Sequence, residues 1–404
     1  MKTSTDKTLI DEILDRGTIV QILPTKEEFR ERLLSGEKLT FYIGFDATAP
    51  TLHLSHAKNL ILLEKFRKLG HEVIVLFGDF TARIGDPSGE DSARKQLSRE
   101  DVSKNVEIWK ELIAPLMDFE DKENPPLIKY NHDWFSKLSF EDVINLASNL
   151  TVQQMLERDS FEKRINEGKP VYLHEFLYPL MQGYDSVSMG VDVELCGTDQ
   201  IFNALVGRTL LRKLKDKNKF VVAVTLMEDP ITGELMSKSK GTGVFLDVTA
   251  NDMYGQIMAQ SDAMMEVLFV NLTKLSLPEI KEILKTNTER DAKMRLALEI
   301  TTIFHGQENA KQAEKCFVDI FQKKETPNEM PTVQVGEKDN IIDVLVKSGL
   351  ASSKTDARRL VVQGGIKINE EKYSEKDIDQ PIGKITNKTV LQKGKRHYIE
   401  LVSE

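Results

Sequence analysis

The stretch Phe41–His56, FYIGFDATAPTLHLSH, constrains the chain more than any other. Leu39 to Phe45 has the apolar, aromatic and β-branched content of a buried strand. It ends at Asp46, turns through Ala47, Thr48, Ala49 and Pro50, and gives way near His53 to a helical pattern. Leu60, Leu63, Phe66 and Leu69 recur on one side of that helix and Gly70 stops it. Strand, turn and helix together place His53 and His56 three apart at a helix N-terminus, where unpaired N–H groups and partial positive charge favour an anion. Spacing alone leaves two readings open: a phosphate site with two imidazole donors, or two histidines that only cap and stack.

Downstream, strand-like runs keep alternating with helical ones. Val73–Phe77 is a continuous apolar run, and the loop after it, GDFTARIGDPSG at 78–89, holds the turn formers Gly85, Asp86, Pro87 and Gly89. Ser98 with Asp101, and Ser139 with Asp142, have the spacing of capped helix starts. Further strands are predicted at 125–130, 191–196 and 220–226, whereas residues 1–38 read as a helical, polar arm. The alternation predicts an α/β domain with a mainly parallel sheet. Ligands of such sheets bind beyond the C-terminal strand ends, where loops 46–56 and 78–89 both lie.

Tyr178, Gln182 and Asp185 are spaced four and three and share a face of one helix. A phenol, an amide and a carboxylate can together grip a polar zwitterion, though a mixed surface face has the same spacing. In GTDQ at 197–200, Thr198 is placed to cap a helix with Asp199 in its first turn, where an acid suits the helix dipole without any further role. In MEDPITGELMSKSKGTG, residues 227–243, Lys238 and Lys240 lie among Ser237, Ser239, Gly241 and Thr242. Such a loop closes over polyphosphate or is simply solvated. It is not a Walker loop, because GxxxxGK[ST] is absent, and no GxGxxG fingerprint occurs.

At 404 residues the chain is long enough for two or three domains. Its net charge of −9 excludes a uniformly basic nucleic-acid binder but not a local basic patch. Two cysteines, Cys196 and Cys316, argue against a disulfide framework or a cysteine-rich zinc site. The opening MKTSTDKTLIDEILDRG has no long apolar run, so a cytoplasmic enzyme without a membrane span is expected. Residues 248–323 read as helical, 324–337 as a Pro/Glu/Lys/Asn-rich linker, and 338–404 as a small separate unit. In that unit Ser353 and Asp356 open a helix that carries Lys354, Arg358 and Arg359. The unit has 13 Lys+Arg against 10 Asp+Glu, a net of +3, while the rest of the chain stands at −12. This split points to nucleic-acid binding by the tail, or to a helix with a solvated charged face.

Taken in order, Tyr42 and Asp46, HLSH at 53–56, GDFTARIGDPSG, Tyr178–Gln182–Asp185, GTDQ and MSKS at 236–239 resemble the class I aminoacyl-tRNA synthetases, and within them the bacterial tyrosyl-tRNA synthetases. The C-terminal unit resembles the ribosomal-protein-S4-like RNA-binding domain. The resemblance implies a Rossmann-like parallel-sheet catalytic domain over 1–247, an α-helical anticodon-binding domain over 248–323, the linker 324–337 and an S4-like α+β domain over 338–404. It implies a homodimer that joins tyrosine and ATP, with Mg²⁺, to tyrosyl-adenylate and then charges tRNA(Tyr). By position, Tyr42 and Asp185 would bond the substrate phenol, Tyr178, Gln182 and Asp86 its ammonium, and Gln200 its carboxyl end. Asp199 and Gly197 would receive the ribose, and Asp46 would contact the adenylate near its phosphate. Thr48, His53, His56, Arg94 and Lys238 would face the ATP phosphates or ribose, with Met236, Ser237 and Ser239 in the lysine loop. Lys354, Arg358 and Arg359 would meet tRNA.

Three positions depart from the family pattern: Leu235 where lysine is usual, Ser55 between the histidines where glycine is usual, and Glu90 where a basic residue is common. Two rivals are activation of tryptophan or another amino acid on the same fold and an RNA-binding protein that has lost catalysis. Tyr42 and Asp185 weigh against the first, since an indole has no para-hydroxyl to bond them. The otherwise intact site positions weigh against the second.

Overall fold

The structure, a computed structural model, describes residues 2–86, 97–236, 243–320, 330–336, 338–382, 385, 389–394 and 397–403. Its contacts divide the chain into two units, residues 1–248 with 260–296, and residues 249–259 with 297–404. The helical stretch 248–323 therefore does not separate as one body: 260–296 belongs with the first unit.

The first unit is built on six strands, β1 (Ile19–Leu23), β2 (Thr40–Phe45), β3 (Glu72–Phe77), β4 (Leu127–Tyr130), β5 (Val193–Gly197) and β6 (Phe220–Val224). They lie in the order β1-β6-β5-β2-β3-β4; β2 to β6 are parallel and β1 is antiparallel to β6. The polar helical arm expected over 1–38 is thus corrected: β-branched Ile19, Val20 and Ile22 make an edge strand between two short helices, Lys7–Asp15 and Lys26–Leu34.

Alternation along β2 decides what each face of the sheet meets. Phe41 stacks on Phe66 at 4.4 Å and meets Phe29 at 6.2 Å, in the core beneath α1 (Leu54–Lys68). Tyr42 points to the opposite face, among Ile74, Leu76 and Val191. From β2 the chain proceeds to β3 and β4 on one side, then returns to β5 on the other side of β2. This is a topological switch point, where parallel sheets open a crevice. The ladder between β2 and β5 spans only Phe41↔Val193 and Tyr42↔Glu194, so the C-terminal ends of the two strands are not laced together.

Three further helices frame the crevice: α2 (Arg99–Ile113), α3 (Leu177–Met189) and α4 (Ile201–Lys215). Ser98 caps α2 through the Asp101 N–H at 3.1 Å. From α2, Asn105 Nδ2 and Trp109 Nε1 each donate at 2.8 Å to the carbonyls of Ala47 and Ala49, bracing the loop after β2.

In the second unit, helix α5 (Ala250–Met258) packs on α6 (Gln307–Val318), with Tyr254 and Phe317 ring centroids 5.5 Å apart. A five-stranded sheet carries α7 (Ile341–Lys347) and α8 (Lys354–Val362) over a core that includes Ile341, Leu345, Val361, Leu391 and Leu401. Thr332–Val335, inside the expected linker 324–337, is a strand of that sheet, parallel to His397–Ser403. Its Thr-Val-Gln-Val alternation has the period of a strand and was hidden by the polar residues before it.

Candidate active site

The crevice holds a cavity of about 320 Å³ between the C-terminal ends of β2 and β5. Tyr42, Asp46, Thr48, His56, Asp86, Tyr178, Gln182, Asp185, Gly197, Asp199 and Gln200 all line it, so eleven expected site residues are brought to one wall. His53 is not on that wall; its ring lies against His56 at a centroid distance of 4.2 Å. Arg94, Ser237, Lys238 and Ser239, and the departure Glu90, lie outside the described residues. Met236, the last residue described before them, is buried and donates its N–H to the Met227 carbonyl at 2.9 Å. The returning chain is tied to the helix start: the Leu54 N–H donates to the Val244 carbonyl at 3.0 Å, and Phe245 bridges to His53.

Tyr42 and Asp185 are among the most buried of the lining side chains, 1% and 3% exposed. The Tyr42 hydroxyl is 2.9 Å from Ser186 Oγ. Burial, with Glu194 and Asp185 nearby, pushes the Tyr42 pKa well above its ordinary value, so it stays a phenol. Asp185 accepts from Trp134 Nε1 at 2.9 Å and Asn131 Nδ2 at 3.4 Å. Burial pushes its pKa well up, and those two donors pull against the shift. Asn131 and Trp134 escaped the reading of the sequence; Asn131 directly follows β4, and the strand-end rule applied to every strand would have found it.

Tyr178, Gln182 and Asp185 do share one face of α3, where Tyr178 donates to Asp46 Oδ2 at 2.8 Å. Having given its proton to Asp46, the Tyr178 oxygen keeps its lone pairs for another donor. Asp46 also accepts from Thr81 Oγ1 at 2.6 Å. Gly78 makes this possible, because a Cβ there would stand 2.1 Å from Asp46 Oδ1. Asp86 is held by Arg158 Nη2 at 3.0 Å and Gln200 Nε2 at 2.5 Å. Arg158, 4% exposed, carried no signal in spacing or neighbours.

The end of β5 is also specialised. A Cβ on Gly197 would meet Asp199 Oδ1 at 2.4 Å, so glycine lets that carboxylate fold back. Thr198 is not the helix cap expected of it. Residues 198–200 form a 3₁₀ turn with Gly197 at its cap and no side-chain capping bond, and α4 follows. Cys196 lines the cavity as a buried free thiol.

His53 caps α1. Its Nδ1 accepts the Ser55 N–H at 3.3 Å, while His56 Nδ1 accepts the His53 N–H at 3.4 Å. With both Nδ1 atoms accepting, a neutral imidazole carries its proton on Nε2. Burial lowers His53 to about 4 and His56 to about 3. The capping and donor readings, kept apart on spacing alone, are therefore compatible: one ring nitrogen caps and the other remains a neutral donor.

Lys354, Arg358 and Arg359 project from α8 with exposed side chains, each on a carboxylate: Asp343 at 2.8 Å, Asp379 at 2.6 Å and Asp356 at 2.6 Å.

Residues 34–322 match the family described as tRNA synthetases class I (W and Y). The chain belongs to the class I tRNA synthetases. Enzymes of this family use ATP as a substrate. Residues 322–401 match the tyrosine–tRNA ligase SYY-like C-terminal domain. A tyrosine–tRNA ligase of Thermotoga maritima is 42% identical over 96% of each chain. That of Haemophilus influenzae is 41% identical over 95% of this chain and 94% of the relative. A C-terminally truncated mitochondrial tyrosyl-tRNA synthetase of Aspergillus nidulans superposes with a TM-score of 0.66 at 22% identity, over 78% of this chain and 94% of that one. A tyrosyl-tRNA synthetase from Archaeoglobus fulgidus, complexed with L-tyrosine, gives 0.59 at 17% over 76% and 100%. At those identities the two structures speak for the fold alone. It is the Rossmann-like α/β fold of this synthetase class with a separate C-terminal domain.

Proposed function

We propose that this synthetase is a tyrosine–tRNA ligase. Tyrosine and ATP give tyrosyl-adenylate and pyrophosphate, and the tyrosyl group then passes to the 3′-terminal adenosine of tRNA(Tyr). The observation that carries the reading is the pairing of Tyr42 and Asp185 on the wall of one cavity that also holds His56 at a helix start. The ligase name borne by relatives aligned along nearly the whole chain supports it.

In this reading the substrate phenol lies between Tyr42 and Asp185. Its ammonium faces acceptors only: the Tyr178 oxygen, Gln182 Oε1 and Asp86. Gln200 orients the carboxyl end, and Asp199 with the Gly197 backbone receives the ribose. A tyrosine carboxylate oxygen attacks the α-phosphorus, the bond to the β-phosphate oxygen breaks, and pyrophosphate leaves. Next, a terminal ribose hydroxyl attacks the carbonyl carbon of the adenylate, the acyl–phosphate C–O bond breaks, and AMP departs with the hydroxyl proton passing to its phosphate. Neither step needs a protein nucleophile; both need donors where negative charge grows. Thr48, His53 and His56 supply neutral donors, Arg94 and Lys238 supply charge, and Asp46 sits near the α-phosphate. Mg²⁺ would arrive on the ATP phosphates and would need no dedicated protein cage.

The C-terminal unit, through Lys354, Arg358 and Arg359, contacts tRNA. The chain works as a homodimer in the cytoplasm. Among the described residues no helix is long and apolar enough to cross a membrane.

Amino-acid-dependent ATP–pyrophosphate exchange tests the assignment. Tyrosine is expected to drive exchange and tryptophan not to. Preference for tryptophan overturns it, and tight tRNA binding without any exchange overturns the enzyme reading as a whole.

A further inference from the structure

At the cavity lies an ion pair that nothing in the sequence singled out; its carboxylate, Glu194, is a lining residue and its ammonium, Lys219, is not. Lys219 precedes β6 and is 1% exposed; Glu194 on β5 is 2% exposed and pairs with it through Oε2. Glu194 is the lateral partner of Tyr42 in the sheet, so the two side chains share a face. Room for the ammonium comes from Gly207 on α4, where a Cβ would stand 2.6 Å from Lys219 Nζ.

A buried ion pair is seldom more stabilising than an apolar pair of the same volume, so what it holds is the more informative question. Lys219 Nζ donates to Ser186 Oγ at 2.7 Å, and Ser186 Oγ is the partner of the Tyr42 hydroxyl. On the other side, Glu194 Oε1 accepts from Gln182 Nε2 at 3.1 Å. Gln182 Oε1 accepts from Asn203 Nδ2 at 2.9 Å, and the same Asn203 nitrogen donates to Gln200 Oε1 at 2.8 Å. Gln200 Nε2 reaches Asp86, which Arg158 holds from its far side. The chain of bonds therefore runs from Lys219 to Arg158 through three of the residues assigned to the zwitterion end of tyrosine, and through Ser186 to one assigned to its phenol.

Direction in that chain is set by its charged end. A carboxylate only accepts, so Gln182 must turn its NH₂ to Glu194 and its oxygen to Asn203. Asn203 must then present its NH₂ to both glutamine oxygens, which leaves the Gln200 NH₂ for Asp86. With a neutral group at 194 the amides lose the constraint that fixes this order. We infer that Lys219 and Glu194 are positioning residues for amino-acid recognition, holding Gln182 and, through Ser186, Tyr42 in the orientation that tyrosine requires. The inference rests on the cavity being the tyrosine site.

The test is pyrophosphate exchange by the full-length enzyme carrying Lys219→Met with Glu194→Gln, which removes both charges together. The tyrosine KM is expected to rise about tenfold, the scale of one well-oriented hydrogen bond to a charged group. kcat and the ATP KM are expected to stay within about twofold, and discrimination against phenylalanine to fall. Ser186→Ala, which leaves the ion pair in place, is expected to lower that discrimination alone, and it decides the matter if the double variant does not fold. Unchanged tyrosine KM and discrimination in the folded variants overturn the positioning role. So does a parallel loss of kcat and both KM terms alongside a lower melting temperature, which marks a merely structural pair. A wild-type enzyme with no tyrosine-dependent exchange overturns the substrate reading beneath it, so the two failures are told apart.

Discussion

His53 and His56 are the residues whose spacing drew attention first, and their protonation is the most direct handle on them. Burial holds their pKa values at about 4 and about 3, below the usual value of 6.5. As pH falls below about 6.5 the unfolded chain takes up protons that the folded chain refuses, so this part of the stability is fully present above 6.5 and is lost on the way down to about 4 and about 3. The melting temperature is expected to fall over that window, and His56→Asn to flatten the fall; an equally steep fall in the variant would show that other groups carry it. Because both rings are already neutral near pH 7, neither is expected to produce an inflection in exchange rate between pH 6 and 8. At this scale the sequence was a good guide to which side chains converge and a poor one to what holds them. Motif spacing follows the groups that point into a cavity. Arg158, Trp134, Ser186 and Lys219 support those groups from other elements, tens of residues away, and only the fold brings them near.

At the scale of elements, the strand–turn–helix unit around Asp46 was legible because each part had a local cause: β-branched and aromatic residues, a turn former, an apolar period and a stopping glycine. Two of the edge strands were not. Ile19–Leu23 and Thr332–Val335 are short, lie beside helical or polar stretches, and owe their state to a partner strand distant in sequence. Gly78 carried no signal of its own in the loop 78–89, yet its lack of a Cβ is what seats the Asp46 carboxylate under Thr81 and Tyr178. Gly78→Ala is therefore expected to displace Asp46 and slow adenylate formation by about 10², the scale set by an ångström of misplacement at a reacting centre. Single-turnover adenylate formation with saturating tyrosine and ATP measures it. An unchanged rate would mean that the position of Asp46 does not govern the chemistry.

For the whole molecule, the decisive property of the C-terminal unit is that its core closes on itself. Among the described residues, the buried cluster beneath α7 and α8 draws on residues between Val333 and Leu401, and the strand at 332–335 belongs to it. The sequence boundary at 338 would have cut through that sheet, so the cut that respects the packing falls before residue 330. Exposed Lys354, Arg358 and Arg359 pair with carboxylates of their own unit, Asp343, Asp379 and Asp356. Surface pairs of this kind are weak and exchange readily for phosphate. Deleting residues 330–404 is accordingly expected to leave tyrosine-dependent exchange within about twofold while reducing tRNA charging at least about tenfold. The deficit should appear in the KM for tRNA, and the intact enzyme should lose charging steeply as salt rises, because ion release on phosphate binding weakens with ionic strength. Exchange and charging measured on the same preparations at two salt concentrations separate the alternatives. Equal loss of both activities would show that the unit supports the catalytic fold, whereas undiminished charging would place tRNA recognition elsewhere in the chain.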